Sequence, residues 1–387
     1  MNKLSINPFV EKKLAAGIQL LDENDFKDLP VLDQLVELVT SSKGSLGTAY
    51  LSKQNKGIGW FLGKYIDSLS HDYFLDLFKK AKAKRKAFED SLFTNAYRLF
   101  NQDGDNFGGL TIDLYKDYAL FSWYNTFVYQ EKELIIRAFQ DVFPEVKGAY
   151  EKIRFQGQDF ESAHLYGQKA PESFTILENG VFYQVFLNDG LMTGIFLDQH
   201  EVRKSLVDGL ALGKSLLNLF SYTAAFSVAA AMGGAIETTS VDLAKRSKEL
   251  SLAHFNENHL DLSSHRFLVM DVFEYFKYAK RKELTYDVIV IDPPSFARNK
   301  KQTFSVSKDY HKLIAEALDI LNPNGTIIAS TNAANMTVSQ FKKQIIKGFG
   351  SHSFDQMSFQ QLPGDFTINK ADERSNYLKV FTIKVRE

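Results

Sequence analysis

The stretch YDVIVIDPPSFARNK, Tyr286 to Lys300, decides how this chain is read. Val288 to Ile291 are four consecutive branched apolar residues, the pattern of a strand buried on both faces. Asp292-Pro293-Pro294 then stops it. Two prolines remove backbone donors and leave carbonyls pointing outward. A carboxylate beside a proline carbonyl makes two acceptors on a rigid corner, suited to the N–H groups of a planar base. Phe296 offers a stacking face. Arg298, Lys300, Lys301 and Lys308 place positive charge where a strand of nucleic acid would pass.

Around this corner the chain repeats one pattern. From about residue 173 onward, apolar runs of strand length alternate with helical ones. SLLNLF precedes TAAFSVAAAMGG, IETTSVD precedes LAKRSKELSLAHFNENH, and RFLVMD precedes VFEYFKYAKRK. YDVIVIDPP precedes YHKLIAEALDIL, and GTIIAST precedes SQFKKQIIKGF. Repeated β-α units of this length predict an α/β fold, a doubly wound parallel sheet with right-handed crossovers. Such sheets bind ligands at the carboxyl ends of their strands.

Those ends carry a series of polar residues. After the first strand comes NLFSYTAAF, Asn218 to Phe226, where small and polar residues let backbone approach a ligand. It lacks the glycines of a dinucleotide fingerprint. After the second strand comes Asp242, placed to take both hydroxyls of a ribose or to cap the next helix. After the third comes Asp271, followed by Val272. It can accept an adenine amine, with an apolar neighbour against the ring, or act as an N-cap. Asp292 ends the fourth. Three successive strands ending in Asp, the last followed by Pro-Pro, point to a ligand edge.

The rest of the chain has a different texture. Residues 1–70 hold short apolar runs broken by Gly, Asp and Asn, predicting a small β-rich module. Lysines and acids balance there at eight each. Residues 71–172 predict an α+β middle domain that opens on a basic amphipathic helix over 71–90. Within it, KKAKAKRK, Lys79 to Lys86, puts six cations in eight residues, either an extension of a nucleic-acid path or a solvated helix face. FTILENGVFYQVF around Asn179-Gly180 predicts a hairpin leading into the third domain, 173–387. For Trp60 and Phe61, core packing is the preferred reading.

Composition narrows the classes. The net charge is −1, so no global field advertises a nucleic-acid partner and any such binding is local. No apolar run approaches the roughly 20 residues of a membrane span, and the start does not read as a signal peptide. There is no cysteine, hence no disulfide, no thiolate ligand and no cysteine nucleophile. A cytoplasmic location fits.

With these motifs in hand, the chain resembles the class I S-adenosylmethionine-dependent methyltransferases. More narrowly, it is similar to the bacterial large-subunit (23S) ribosomal RNA methyltransferases with an N-terminal PUA-like module. The resemblance rests on GGLTIDLY, TGIFLDQHEVR (193–203), NLFSYTAAF (218–226), SVDLAKRS (240–247), MDVFEYF (270–276), YDVIVIDPPSFARNK and NYLKV. It implies a Rossmann-like catalytic domain using S-adenosylmethionine, giving S-adenosylhomocysteine, without a metal. Thr193, Phe196, Asp198, Gln199 and Arg203 match the segment lying over the cofactor. Asn218, Phe220, Ser221 and Tyr222 match the first loop, Asp242 the ribose acid, and Asp271 with Val272 the adenine site. Asp292, Pro293, Pro294, Phe296 and Asn332 fall at the catalytic positions, with Asp292 also at the cofactor.

Two departures shape the chemistry. Ala224-Ala225 stands where the family often has Gly-Gly. Members that methylate cytosine at carbon 5 use a cysteine after the strand following Asp-Pro-Pro, and here Asn332 stands in that place. Direct methylation of a nucleophilic atom of RNA, a ring nitrogen, an exocyclic amine or a hydroxyl, is therefore expected; IDPPSFARNK and the asparagine after the next strand also resemble the guanine-N7 members, which favours a guanine nitrogen. Asn332 can hydrogen-bond a base edge or cap a turn. Ser295 also separates the prolines from Phe296, so the usual pattern of amine-methylating enzymes is not quite met. Competing readings are a protein or small-molecule methyltransferase and an inactive cofactor-binding, RNA-associated protein. An NAD-dependent oxidoreductase lacks its glycine fingerprint. The sequence is compatible with a homodimer but does not fix the oligomeric state.

Overall fold

A computed structural model describes residues 1–386 apart from Ser41, Lys43, Lys56 and 299–302. The chain forms two compact units. The first comprises Met1–Phe174, Phe186–Thr193 and Gly364–Asn376; the second comprises Thr175–Val185, Gly194–Pro363 and Tyr377–Glu387.

The first unit contains two five-stranded sheets. One runs in the order Asn2–Ser5, Gln34–Val39, Ser45–Gln54, Gly57–Gly63, Leu20–Leu21. The other runs Ser162–Gly167, Gly148–Ile153, Tyr118–Trp123, Leu110–Tyr115, Ala96–Asn101. One core joins them. Trp60 is 2% exposed and packs with Phe74, Phe107 and Phe139 in the same apolar cluster. A Cβ on Gly108 would stand 2.0 Å from the Trp60 ring, so only glycine lets the turn approach this closely.

The basic run Lys79–Lys86 is largely neutralised within this unit. Lys80 pairs with Asp76, Lys82 with Glu145, Lys84 with Asp105, and Lys86 with Asp90. Arg85, 1% exposed, makes a two-point pair with Asp105 at 2.8 and 2.7 Å. The helix predicted over 71–90 therefore runs His71–Lys84, and a short turn Lys86–Glu89 follows a break at Arg85. Arg85 sits at this break with its guanidinium turned inward to Asp105 and the carbonyls of Ala81, Arg98 and Asp365.

The second unit carries the doubly wound sheet. We label its strands β1 (Ser215–Leu219), β2 (Glu237–Asp242), β3 (His265–Val269), β4 (Tyr286–Ile291), β5 (Leu321–Thr331), β6 (Phe354–Gln360) and β7 (Lys379–Val385). The order is β3-β2-β1-β4-β5-β7-β6. The first five strands are mutually parallel, and β7 is antiparallel to both β5 and β6. Helices α1 (Ala225–Met232), α2 (Lys245–Glu257), α3 (Val272–Arg281), α4 (Val306–Leu318) and α5 (Val338–Phe349) complete the β-α repeats. In α3, Val272, Tyr275, Phe276 and Ala279 fall at i, i+3, i+4 and i+7 and are all buried, which is why this segment is a helix with one face on the sheet. Val288 to Ile291 of β4 are each fully buried, as helices on both faces of a parallel sheet require.

Strand order reverses between β1 and β4, which leave the sheet centre with their carboxyl ends side by side. In sheets of this kind ligands bind at such a switch point.

Candidate active site

The loop after β1 is built from uncommon backbone. Phe220, Tyr222 and Ala224 have φ of 58°, 49° and 59°, the left-handed region that non-glycine residues rarely adopt. Three such residues in five persist only where surrounding bonds over-determine them. Here the bonds are explicit. The N–H of Ser221 donates to the carbonyl of Val241 at 3.0 Å, and the N–H of Tyr222 to Asp242 Oδ2 at 2.8 Å. Thr223 Oγ1 donates to the Gly194 carbonyl at 2.7 Å, and the Gly194 N–H donates to the Tyr222 hydroxyl at 3.0 Å.

Asp242 therefore braces two loops. Its Oδ1 accepts the N–H of Ala244 at 2.8 Å. It does not cap α2, whose N-cap is Ala244 with no side-chain bond. Asn218 lies inside β1, fully buried. Its Nδ2 donates to Ser227 Oγ at 3.2 Å, while its carboxamide oxygen has no partner among the described residues. At the end of β3, Asp271 is the N-cap of α3, with Oδ1 accepting from Phe273 and Glu274 at 3.0 and 3.2 Å. Val272 is 3% exposed and points into the core.

The corner after β4 holds a carboxylate in a strongly perturbing setting. Asp292 Oδ2 accepts from Gln199 Nε2 at 3.3 Å, and the same amide nitrogen donates to Ser330 Oγ at 2.8 Å. Burial pushes the Asp292 carboxyl up to about 6. A hydrogen bond with Ser330 opposes the rise, the charge of Asp198 adds to it, and Arg203 and the Gln199 amide pull it down. The Tyr310 hydroxyl fixes the end of β4 by donating to the Ile291 carbonyl at 2.8 Å. Pro293 is buried and Pro294 exposed. Asn332, exposed just past β5, accepts from Ser295 Oγ at 3.1 Å, so the two strand ends meet through side chains.

The segment leading into this edge is held from behind. Arg203 is 2% exposed and clamps Glu178 at 2.6 and 2.8 Å, and it also donates to the Phe196 carbonyl at 2.8 Å. Its charge is thus spent on the hairpin strand Phe174–Glu178. Phe196 stands 48% exposed with its ring 5.5 Å from that of Tyr222. Asp198 accepts from the Tyr377 hydroxyl at 3.0 Å. Thr193 belongs to the first unit, where its Oγ1 accepts from the Tyr115 hydroxyl at 3.3 Å. Just upstream, Lys152 donates to the carbonyls of Gly190 and Met192, and Arg154 donates to that of Leu191. Burial pulls the Lys152 ammonium down to about 8.

Of the basic residues beyond the prolines, Lys308 is exposed on the first turn of α4. Phe296 and Arg298 lie on a short strand, Phe296–Arg298, paired antiparallel with Thr303–Ser305. Lys300 and Lys301 lie outside the described residues. Among the described residues, no group of three or more His, Asp or Glu is placed to hold a metal ion.

Comparison with known proteins identifies the family. Residues 152–356 match the family model for S-adenosylmethionine-dependent methyltransferases, and residues 4–64 match a PUA-like domain. The chain belongs to the S-adenosylmethionine-dependent methyltransferases. It is 43% identical over 386 residues to a Bacillus subtilis (strain 168) protein named as a putative ribosomal RNA large subunit methyltransferase, covering 97% of this chain and 95% of that one. It is 29% identical over 364 residues to ribosomal RNA large subunit methyltransferase I of Aliivibrio fischeri (strain ATCC 700601 / ES114), covering 92% and 91%. A crystal structure described as a putative methyltransferase complexed with SAH superposes with a TM-score of 0.95 at 64% identity, covering all of both chains.

The edge of this methyltransferase suits such a cofactor. The unpartnered oxygens of Asn218 and Gln199 are buried acceptors, and Phe196 and Leu243, 48% and 58% exposed, put apolar surface beside Tyr222 and Asp242. Several residues here escaped sequence reasoning. Ser330, Tyr310 and Glu178 carry no motif, and only their contacts with Asp292, the β4 terminus and Arg203 reveal them. Tyr377 lies in NYLKV, a stretch whose individual residues had no assigned role.

Proposed function

We propose that this methyltransferase acts on RNA, with 23S ribosomal RNA as substrate, by direct transfer to a base nitrogen, guanine favoured. The observation that carries the reading is the setting of Asp292: a braced carboxylate titrating near 6, next to a Ser295–Asn332 pair exposed at the neighbouring strand end. The names of the two relatives support ribosomal RNA, and the PUA-like match over 4–64 accords with an RNA substrate.

When bound, S-adenosylmethionine supplies a methyl group on a sulfonium, an electrophile that needs no metal. Asp242 offers its carboxylate to ribose hydroxyls while still holding Tyr222 and Ala244. Asn218, Phe220, Ser221 and Tyr222 shape the loop over the rest of the cofactor, with Asp271 and Val272 at its base and Thr193, Phe196, Asp198, Gln199 and Arg203 in or behind the covering segment. Asp292 accepts an N–H of the target base and takes on proton density as its nitrogen attacks. Pro293 and Pro294 keep that acceptor rigid, Phe296 stacks on the base, and Arg298, Lys300, Lys301 and Lys308 contact phosphates. With no cysteine in the chain, covalent activation of cytosine carbon 5 has no nucleophile.

The division into a PUA-like module over 1–70, a middle domain over 71–172 and a catalytic domain over 173–387 belongs to the same proposal. So does a cytoplasmic site of action, where ribosomal RNA is found. A homodimer is checked by sedimentation, and a single species at 44.0 kDa overturns it. The substrate test compares nucleoside mass spectra of ribosomal RNA from cells with and without the gene. Loss of one methylated guanine on deletion is the expected result. An unchanged nucleoside inventory defeats the RNA reading.

A further inference from the structure

We propose that Ser330, on β5, is a positioning residue for the transfer: with Gln199 it holds the Asp292 carboxylate in the orientation and charge state the reaction needs. The inference rests on the reading of Asp292 as the acceptor for the target base. Sheet register puts Ser330 in place. Ile291 of β4 pairs with Ala329 of β5, so the next residues, Asp292 and Ser330, stand side by side. Ser330 is 0% exposed, and the residues before it, Ile327, Ile328 and Ala329, are buried and apolar. A hydroxyl in such a strand needs a partner. Ser330 Oγ accepts from Gln199 Nε2 at 2.8 Å, and Ser330 is hydrogen-bonded to the Asp292 carboxylate. The same Gln199 nitrogen donates to Asp292 Oδ2 at 3.3 Å. Three buried side chains thus close a ring of hydrogen bonds.

The carboxylate fixes the direction of each bond in that ring. Once ionised it only accepts. The Ser330 proton then points at Asp292, and a lone pair of the hydroxyl is left for one N–H of Gln199. The other N–H of that amide goes to Asp292. Rotated by half a turn, the amide would set its oxygen against the carboxylate. Both donors favour the charged form and oppose burial, which disfavours it. Three titratable groups also face Asp292. Asp198 opposes its ionisation and Arg203 favours it, while Tyr310 is made less acidic by burial and by the charge of Asp292. Each has another partner: Asp198 the Tyr377 hydroxyl, Arg203 the Glu178 carboxylate, and Tyr310 the Ile291 carbonyl. Among the described residues, the side chains that donate to Asp292 are Ser330 and Gln199. Both are neutral, so each can be removed without changing a charge.

The test follows the Asp292 carboxyl by carbon-13 NMR of the full chain labelled at aspartate, with Asp292→Asn identifying the signal. Wild type is expected to titrate near 6. Ser330→Ala should raise the midpoint by roughly one pH unit, the effect of losing one donor to a carboxylate, and Gln199→Met should raise it too. Ser330→Thr, which keeps the hydroxyl, should restore it. Methyl transfer is measured from S-adenosylmethionine to ribosomal RNA of cells lacking the gene. The rising limb of kcat/KM should move with the titration, so that Ser330→Ala loses about fivefold at pH 6 and less at higher pH. Calorimetry with S-adenosylhomocysteine should show the same affinity in Ser330→Ala as in wild type. An unmoved titration in Ser330→Ala, or in Gln199→Met should the first variant not fold, overturns the inference and leaves the reading of Asp292 standing. An equal loss of rate at every pH overturns it too, because Ser330 would then act through packing alone. If Asp292→Asn keeps the wild-type rate and pH limb, the reading of Asp292 fails and takes the inference with it.

Discussion

The carboxylate of Asp242 accepts the backbone N–H of Tyr222 at 2.8 Å, so the acid ending β2 holds the strained loop that follows β1. One side chain thus supports the loop and is also the proposed ribose ligand. Asp242→Ala should weaken binding of S-adenosylhomocysteine by roughly 10- to 100-fold, the worth of hydrogen bonds to a charged group. Calorimetry reads the affinity. Asp242→Asn, which keeps an acceptor oxygen, should lose less.

The left-handed backbone at Ala224 gives a second prediction. Its φ of 59° costs an alanine but not a glycine. Ala224→Gly should raise stability in urea unfolding, by about 1 kcal/mol at most, because the unfolded chain gains freedom as well. Ala224→Val should lower it, since branching at Cβ makes this conformation worse.

Asp292 makes activity and stability depend on pH in opposite directions. The proposed chemistry needs the ionised carboxylate, so kcat/KM should rise with pH to a plateau with a midpoint near 6. Asp292→Asn should flatten that limb and lower the rate by roughly 100-fold or more. For stability, the folded state holds this proton more tightly than the unfolded chain does. The contribution is fully present below pH about 4, the ordinary range of an aspartate, and is lost as pH rises through about 6. Asp292→Asn should therefore gain in melting temperature relative to wild type on going from pH 5 to pH 7.

Arg203 and Glu178 form a buried pair whose halves depend on each other. Arg203→Ala leaves Glu178 charged and desolvated, which typically costs about 3–5 kcal/mol. Replacing both residues by apolar ones of similar volume should cost much less. Thermal unfolding of the single and double variants separates the two cases. If the single variant melts like wild type, the clamp does not hold the hairpin.

The salt dependence of RNA affinity distinguishes two kinds of lysine. Lys308 is exposed on α4, so Lys308→Ala should reduce the slope of log affinity against log salt by about 1. Lys84 is bonded to Asp105 and the Gly104 carbonyl, so Lys84→Ala should leave that slope unchanged and lower stability instead.

What could be read from the sequence alone followed from local, periodic pattern. The continuous apolar run of β4 and its stop at Asp292-Pro293-Pro294 are consequences of burial on both faces and of missing proline donors. The same logic marked the β1, β2 and β3 ends, because a parallel sheet brings successive carboxyl ends to one edge. The local pattern at Asp271 left a ligand role and an N-cap open together, and the fold shows the capping bonds. What tertiary structure decided was the partner of each polar group. Gln199 meets Asp292 across 93 positions, Ser295 meets Asn332 across 37, and Arg203 turns back to Glu178. Most of the cations in Lys79–Lys86 are drawn into ion pairs, and residues 364–376 return to the first unit, where Asp365 accepts the Arg98 N–H at 2.8 Å. No periodicity encodes such pairings. They arise because a buried polar group must find a partner, and the partner within reach is set by how distant strands and loops are packed.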